Sequence, residues 1–169
     1  MPALKFVRSV WESFRANSGL EPRYIALVNS NENNTDLTLA KTSKWASSHF
    51  GGARPRQNRL NILHGGTIAS MVDLGGSLAV ASRGLFATGV STDLNVTYLS
   101  SGGKIGDMIK AEVTCDKFGK TLAFTSINFS NSKGEIFARG SHTKYVALAW
   151  KDPNNIVEEL SPKSSEKKD

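Results

Sequence analysis

Between residues 90 and 98 apolar and polar positions alternate. Val90, Thr92, Leu94, Val96 and Tyr98 fall on the even positions, and Ser91, Asp93, Asn95 and Thr97 on the odd. That two-residue period predicts a strand with one buried face. The same period runs through 109–115, where Ile109, Ala111, Val113 and Cys115 share a face and Lys110, Glu112 and Thr114 turn away. Cys115 is thereby a core residue of a strand, not a nucleophile. Residues 117–120 predict a turn into a third strand over 121–130, and 131–134 a turn into a fourth over 136–149. A glycine in each turn favours consecutive antiparallel pairing.

Upstream the period lengthens to that of a helix. Leu4, Val7, Val10, Trp11 and Phe14 recur on one side of the segment 4–18, opposite Lys5, Arg8, Glu12 and Arg15, with Gly19 as the stop. From His64 to about Arg83 the chain is rich in Ala, Gly, Ile, Met, Val and Leu on several faces, predicting a helix enclosed nearly all round and closed by Gly84. Two shorter strand candidates, 24–29 and 36–42, flank a polar turn over 30–35. Residues 46–57 have no period and read as an exposed loop. The fold class expected is α+β, with one long buried helix and an antiparallel sheet curved around it. The organisation expected is an N-terminal amphipathic helix over 1–22, a domain over 23–150 and a polar, disordered tail over 151–169. The first segment fits either a mitochondrial transit peptide or a helix packed on the domain. Glu12 counts against the former, and both mitochondrial and cytoplasmic locations stay open.

Composition adds bounds. The 169 residues, 39% hydrophobic and 21% charged, suit one soluble domain. No apolar run reaches the length of a membrane span. The single cysteine excludes an internal disulfide. His49, His64, His142 and Cys115 have no zinc-ligand spacing, so neither a metal nor another cofactor is expected. The net charge of +6 is spread along the chain without a dense tract, which points away from nucleic acid and is compatible with a phosphate-bearing substrate or a plain solvated surface.

The chemistry concentrates at His64-Gly65-Gly66, which opens the apolar helix that carries Asp73. Backbone N–H groups at a helix N-terminus, with the dipole behind them, suit a carbonyl oxygen gaining negative charge, as in acyl transfer. A carboxylate between Val72 and Leu74 is costly there unless it is paired or used. Asn58, His64-Gly65-Gly66, Asp73 and Gly89-Val90-Ser91 follow one another at separations that resemble the hotdog-fold acyl-CoA thioesterases of the thioesterase superfamily member 2 and PaaI-like type. Residues 94–98, 119–126 and 140–144 extend the resemblance over about 55–147. Two departures stand out: the 46–57 approach to Asn58 is long, and Ser141 replaces an expected basic residue.

The resemblance implies a hotdog fold and hydrolysis of acyl-CoA by an activated water. Gly65 then offers its N–H to the thioester carbonyl, His64 polarises or positions it, and Asp73 serves as general base or nucleophile. Asn58 and Ser91 orient the water or Asp73. Asn61 competes with Asn58, and Asp93 and Asn95 lie on the same polar phase as Ser91. For the substrate the candidates are Tyr98 and Tyr145 against the pantetheine or adenine, and Lys104, Lys117, Lys120 with its neighbour Thr121, and Lys144 towards phosphates. Asp73 lies eight residues beyond Gly65, about 12 Å along the axis and about 80° around it. One chain therefore cannot bring both to one carbonyl, whereas a two-fold dimer with antiparallel helices can. The resemblance implies the same shared site, usually in a dimer of dimers, a homotetramer. The competing functions are a hotdog dehydratase acting on hydroxyacyl thioesters and a non-catalytic acyl-CoA or fatty-acid binding protein.

Overall fold

The computed structural model describes residues 2–18, 25–31, 34–39, 60–104 and 107–160. The elements are α1 (Pro2–Ser18), β1 (Ile25–Asn31), β2 (Asn34–Leu39), α2 (Gly65–Ser82), β3 (Val90–Tyr98), β4 (Ile109–Phe118), β5 (Leu122–Asn131), β6 (Ile136–Tyr145), a 3-10 turn at Ala149–Lys151 and α3 (Val157–Leu160). The six strands form one antiparallel sheet in the order β1-β2-β4-β5-β6-β3. This is the expected α+β hotdog arrangement, with the long α2 set against the inner face of the sheet.

The inner face is built by the phases read from the sequence. Ile109, Ala111, Val113 and Cys115 of β4 are buried, as are Ala123, Ile127 and Phe129 of β5. Burial pushes the Cys115 thiol up to about 11, against the lowering pull of Arg83, so it is a packing group and not a nucleophile. Val7, Val10 and Trp11 of α1 share one core with Ile68, Val72 and Leu78 of α2. The amphipathic stripe of α1 is thus a packing surface.

Several bounds differ from expectation. Part of the polar segment 30–35 is paired strand, with Ser30 opposite Thr35 and Asn31 opposite Asn34. Ladder pairing of β2 onto β4 outweighs the weak strand preference of Asn and Ser. The last strand stops at Tyr145, not 149, because the Val146 N–H turns to the Thr121 carbonyl (2.8 Å) and the chain coils into the 3-10 turn. Residues 152–160, expected in a disordered tail, close over the C-terminal end of α2. The Phe86 N–H donates to Asn155 Oδ1 (2.8 Å), Asn155 Nδ2 donates to the Ala149 carbonyl (2.8 Å), and the Ile156 N–H donates to the Gly84 carbonyl (2.9 Å). Gly84 has φ +97°, and a Cβ there would strike the Val157 backbone, so the stop residue serves both the turn and the close approach.

β3 departs most. Among the described residues it has a single neighbour, β6, at the sheet edge, and in the lone protomer Val90, Leu94 and Tyr98 are 64%, 38% and 52% exposed. α2 alone does not cover Leu94 and Tyr98. Among the described residues no helix is long and apolar enough to cross a membrane, and no group of three His, Cys, Asp or Glu side chains is placed to hold a metal ion.

Candidate active site

Two clusters form along α2. The first is at its start. His64 is the N-cap, in extended conformation, and its Nδ1 accepts the Gly66 N–H at 2.9 Å. The His64 carbonyl accepts the N–H groups of Thr67 (2.9 Å) and Ile68 (3.3 Å). The Gly65 N–H has no acceptor among the described residues, so a first-turn donor stands open at the positive end of the dipole. The Tyr98 hydroxyl donates to the Gly65 carbonyl at 2.8 Å. A Cβ on Gly65 would lie 3.2 Å from the Tyr98 ring, which accounts for glycine there. His64 therefore caps the helix. With Nδ1 occupied as an acceptor, its neutral ring carries the proton on Nε2.

The second cluster sits midway along α2. The Ser91 hydroxyl donates to Asp73 Oδ1 at 3.2 Å and lies 2.8 Å from His142 Nε2, which is itself 3.5 Å from Asp73 Oδ1. Asp73 is 56% exposed in the protomer, whereas His142 is wholly buried. Desolvation, with help from Lys144, holds the His142 ring below the usual histidine range, against the opposing pull of Asp73. A neutral ring donating through Nε2 to Ser91 leaves Nδ1 as a bare lone pair, and Nδ1 has no partner among the described residues. Gly76 of α2 makes room for this ring: a Cβ there would lie 2.5 Å from His142 Nδ1 and 2.7 Å from Thr125 Oγ1.

A β-bulge puts Ser91 into this cluster. Ser91 pairs with Lys144, but Asp93 pairs with Thr143 and Leu94 with His142. Directly opposed residues share a face, so the extra residue Thr92 re-phases the strand. Ser91 faces α2 together with Leu94, Val96 and Tyr98, while Asp93 and Asn95 face the other way. The expectation that Asp93 and Asn95 share the face of Ser91 is corrected by that bulge.

The model of the thioesterase superfamily matches residues 60–138. A Schizosaccharomyces pombe protein described as a "putative esterase" is 42% identical over 155 residues, covering 92% of this chain and 91% of that one. This chain belongs to the thioesterase superfamily. It is a hotdog-fold thioester hydrolase. Acyl-coenzyme A thioesterase 13 of Mus musculus is 42% identical over 90 residues, 53% of this chain and 64% of that protein. The crystal structure of thioesterase superfamily member 2 from Mus musculus superposes with a TM-score of 0.67 at 29% identity, covering 86% of this chain and 98% of that one.

The remaining candidates of this thioesterase chain are scattered. Asn58 lies outside the described residues. Asn61 has φ +57°, a conformation that asparagine tolerates better than most residues, so its identity has a backbone reason. Tyr98 sits at the start of α2. Lys104, in a bridge with Ile62, is exposed nearby. Lys117, Lys120, Thr121 and Tyr145 are at the opposite end of the sheet, where the Thr121 carbonyl holds the chain leaving β6. The two groups are separated by roughly the 27 Å length of an 18-residue helix. Lys144 is corrected outright. It is only 3% exposed and points beneath α2, where Nζ donates to Ser77 Oγ at 2.8 Å, so it is not a surface contact for phosphate.

His142 is the site residue that sequence reading missed. Its signal was the pair of polar residues, His142 and Lys144, standing in the same phase as buried Ala138, with in-helix Gly76 opposite.

Proposed function

We propose that this thioesterase hydrolyses acyl-CoA thioesters by general-base catalysis at a site shared between two copies of the chain, usually within a dimer of dimers. The observation that carries this is the separation of the two half-sites: an open Gly65 N–H at the start of α2, and an exposed Asp73 carboxylate, held by Ser91, about 12 Å further along the same helix. Two antiparallel copies of α2 would set the Gly65 of one beside the Asp73 of the other. The exposed edge strand β3 gives such a pairing an apolar flank.

In this reading the Gly65 N–H, with His64 beside it, binds the thioester carbonyl, and Asn58 serves to orient the attacking water. Asp73 takes a proton from water as its oxygen attacks the carbonyl carbon. The oxyanion collects at the Gly65 N–H, and the C–S bond then breaks, releasing coenzyme A thiol and the free acid. Ser91 and His142 hold Asp73 in orientation. The histidine–carboxylate contact also suits β-elimination by a dehydratase, but the His142 ring is wholly buried whereas Asp73 is exposed, which favours the carboxylate alone as the reacting group. Assay of free thiol against enoyl product separates the two.

Subunit mixing tests the shared site. Gly65→Val and Asp73→Asn chains are each expected to be inactive alone. After exchange, a heterodimer holds one site with both faults and one with neither. Activity should recover to about half of wild type per heterodimer, or about a quarter in a statistical mixture. With exchange demonstrated by tags, absence of recovery rejects the shared site.

A further inference from the structure

Lys144 is a buried amine for which the mechanism above has no use. Its Nζ donates to Ser77 Oγ at 2.8 Å, and the Ser77 hydroxyl donates in turn to the backbone carbonyl of Asp73 at 2.9 Å. Across the sheet Lys144 pairs with Ser91, the residue that holds the Asp73 carboxylate. Along β6 it lies two residues from His142 on the same face, about 7 Å at strand rise. No other hydrogen-bond partner of Lys144 Nζ occurs among the described residues. Burying a lysine with a single hydroxyl acceptor is costly, and an apolar side chain of the same length would fill the space more cheaply.

We infer that Lys144 is a positioning residue for hydrolysis: its ammonium, tied through Ser77 to the Asp73 turn of α2, keeps the His142 ring neutral, so that the ring donates to Ser91 and Ser91 to Asp73. The inference rests on the proposed use of Asp73 as base. A fixed cation at this place disfavours a second proton on His142. The groups facing His142 are Asp73 from α2, Lys144 on its own strand, the neutral Ser91 of β3 and the neutral Thr125 of β5, while Asp93 acts more weakly from the far face of β3. Lys144 itself is held below the usual lysine range by burial, against the pull of Asp73.

The test is Lys144→Met, which keeps the stem and removes the charge. Loss of the cation should let His142 take a second proton at higher pH and carry the acid limb of the kcat/KM profile upward with it, by about one unit. The His142 ring, followed by NMR in the same variant, should titrate at higher pH by a similar amount. A merely structural lysine would change the melting temperature and leave both titrations in place, and that result overturns the inference. If the variant does not fold, the wild-type Lys144 side-chain resonance decides: it must be that of an ammonium across the activity plateau, and a neutral amine there rejects the role. The His142 titration needs no turnover, so it stands apart from Asp73→Asn. A fully active Asp73→Asn enzyme would reject the base assignment, whereas an unmoved His142 would reject Lys144.

Discussion

Gly76 and His142 are fitted to each other: the imidazole Nδ1 lies where a Cβ on Gly76 would stand, only 2.5 Å away. A glycine inside a helix gives up about 1 kcal/mol relative to alanine, so helix propensity alone would favour Gly76→Ala. Here the sign reverses. The new methyl would push the ring and Thr125 outward, and the overpacking should cost about 1–3 kcal/mol. Thermal denaturation should reveal the loss, with kcat falling as His142 shifts away from Ser91. An alanine variant as stable and active as wild type would show that the ring is not seated as described.

Asp73→Asn keeps the volume and removes the base. We expect a folded protein whose turnover is at least about a hundredfold lower, the scale of losing a general base. Circular dichroism and steady-state kinetics on one preparation check both halves of the expectation.

Acid should weaken the fold through His142. Its folded-state value lies below that of the free side chain because burial disfavours the charged ring. The unfolded chain therefore binds more protons, and stability is lost as pH falls below about 6.5, the unfolded histidine value. His142→Asn should flatten the decline in melting temperature between about pH 7 and 5. An identical slope in the variant would assign the acid sensitivity elsewhere.

Asn58 and Asn61 should separate by kind of effect. Asn61→Ala places alanine at φ +57° and should cost about 1 kcal/mol of stability with little change in kcat, while Asn61→Gly should restore the stability. Asn58→Ala should lower kcat more mildly than Asp73→Asn, since it removes orientation, not the base. Kinetics showing the reverse pattern would exchange their roles.

The parts of the fold read best from sequence are those where hydropathy and geometry agree. Residues 109–115 alternate cleanly and form β4 with the predicted face inward. The start of α2 at His64-Gly65 and its stop at Gly84 also stand where the sequence puts them. β3 was legible as a strand but not as a surface, because the bulge at Thr92 reverses its phase without altering its composition. β6 hides its site for another reason. Its inner face carries His142 and Lys144, so no hydrophobic alternation marks which side is buried. The fit of Gly76 to a ring on another strand is a contact between distant segments, and no local pattern encodes it.

The single thiol of this protein has a practical consequence. Cys115 is enclosed by the sheet and by α2, with its ionisation pushed up to about 11. An alkylating reagent at neutral pH therefore meets almost no thiolate while the sheet is intact. Modification becomes a clock for openings that reach β4, and its rate against reagent concentration distinguishes slow global unfolding from fast local breathing. The protein carries its own reporter of integrity, placed where neither the Asp73 nor the Gly65 cluster would be disturbed in reading it.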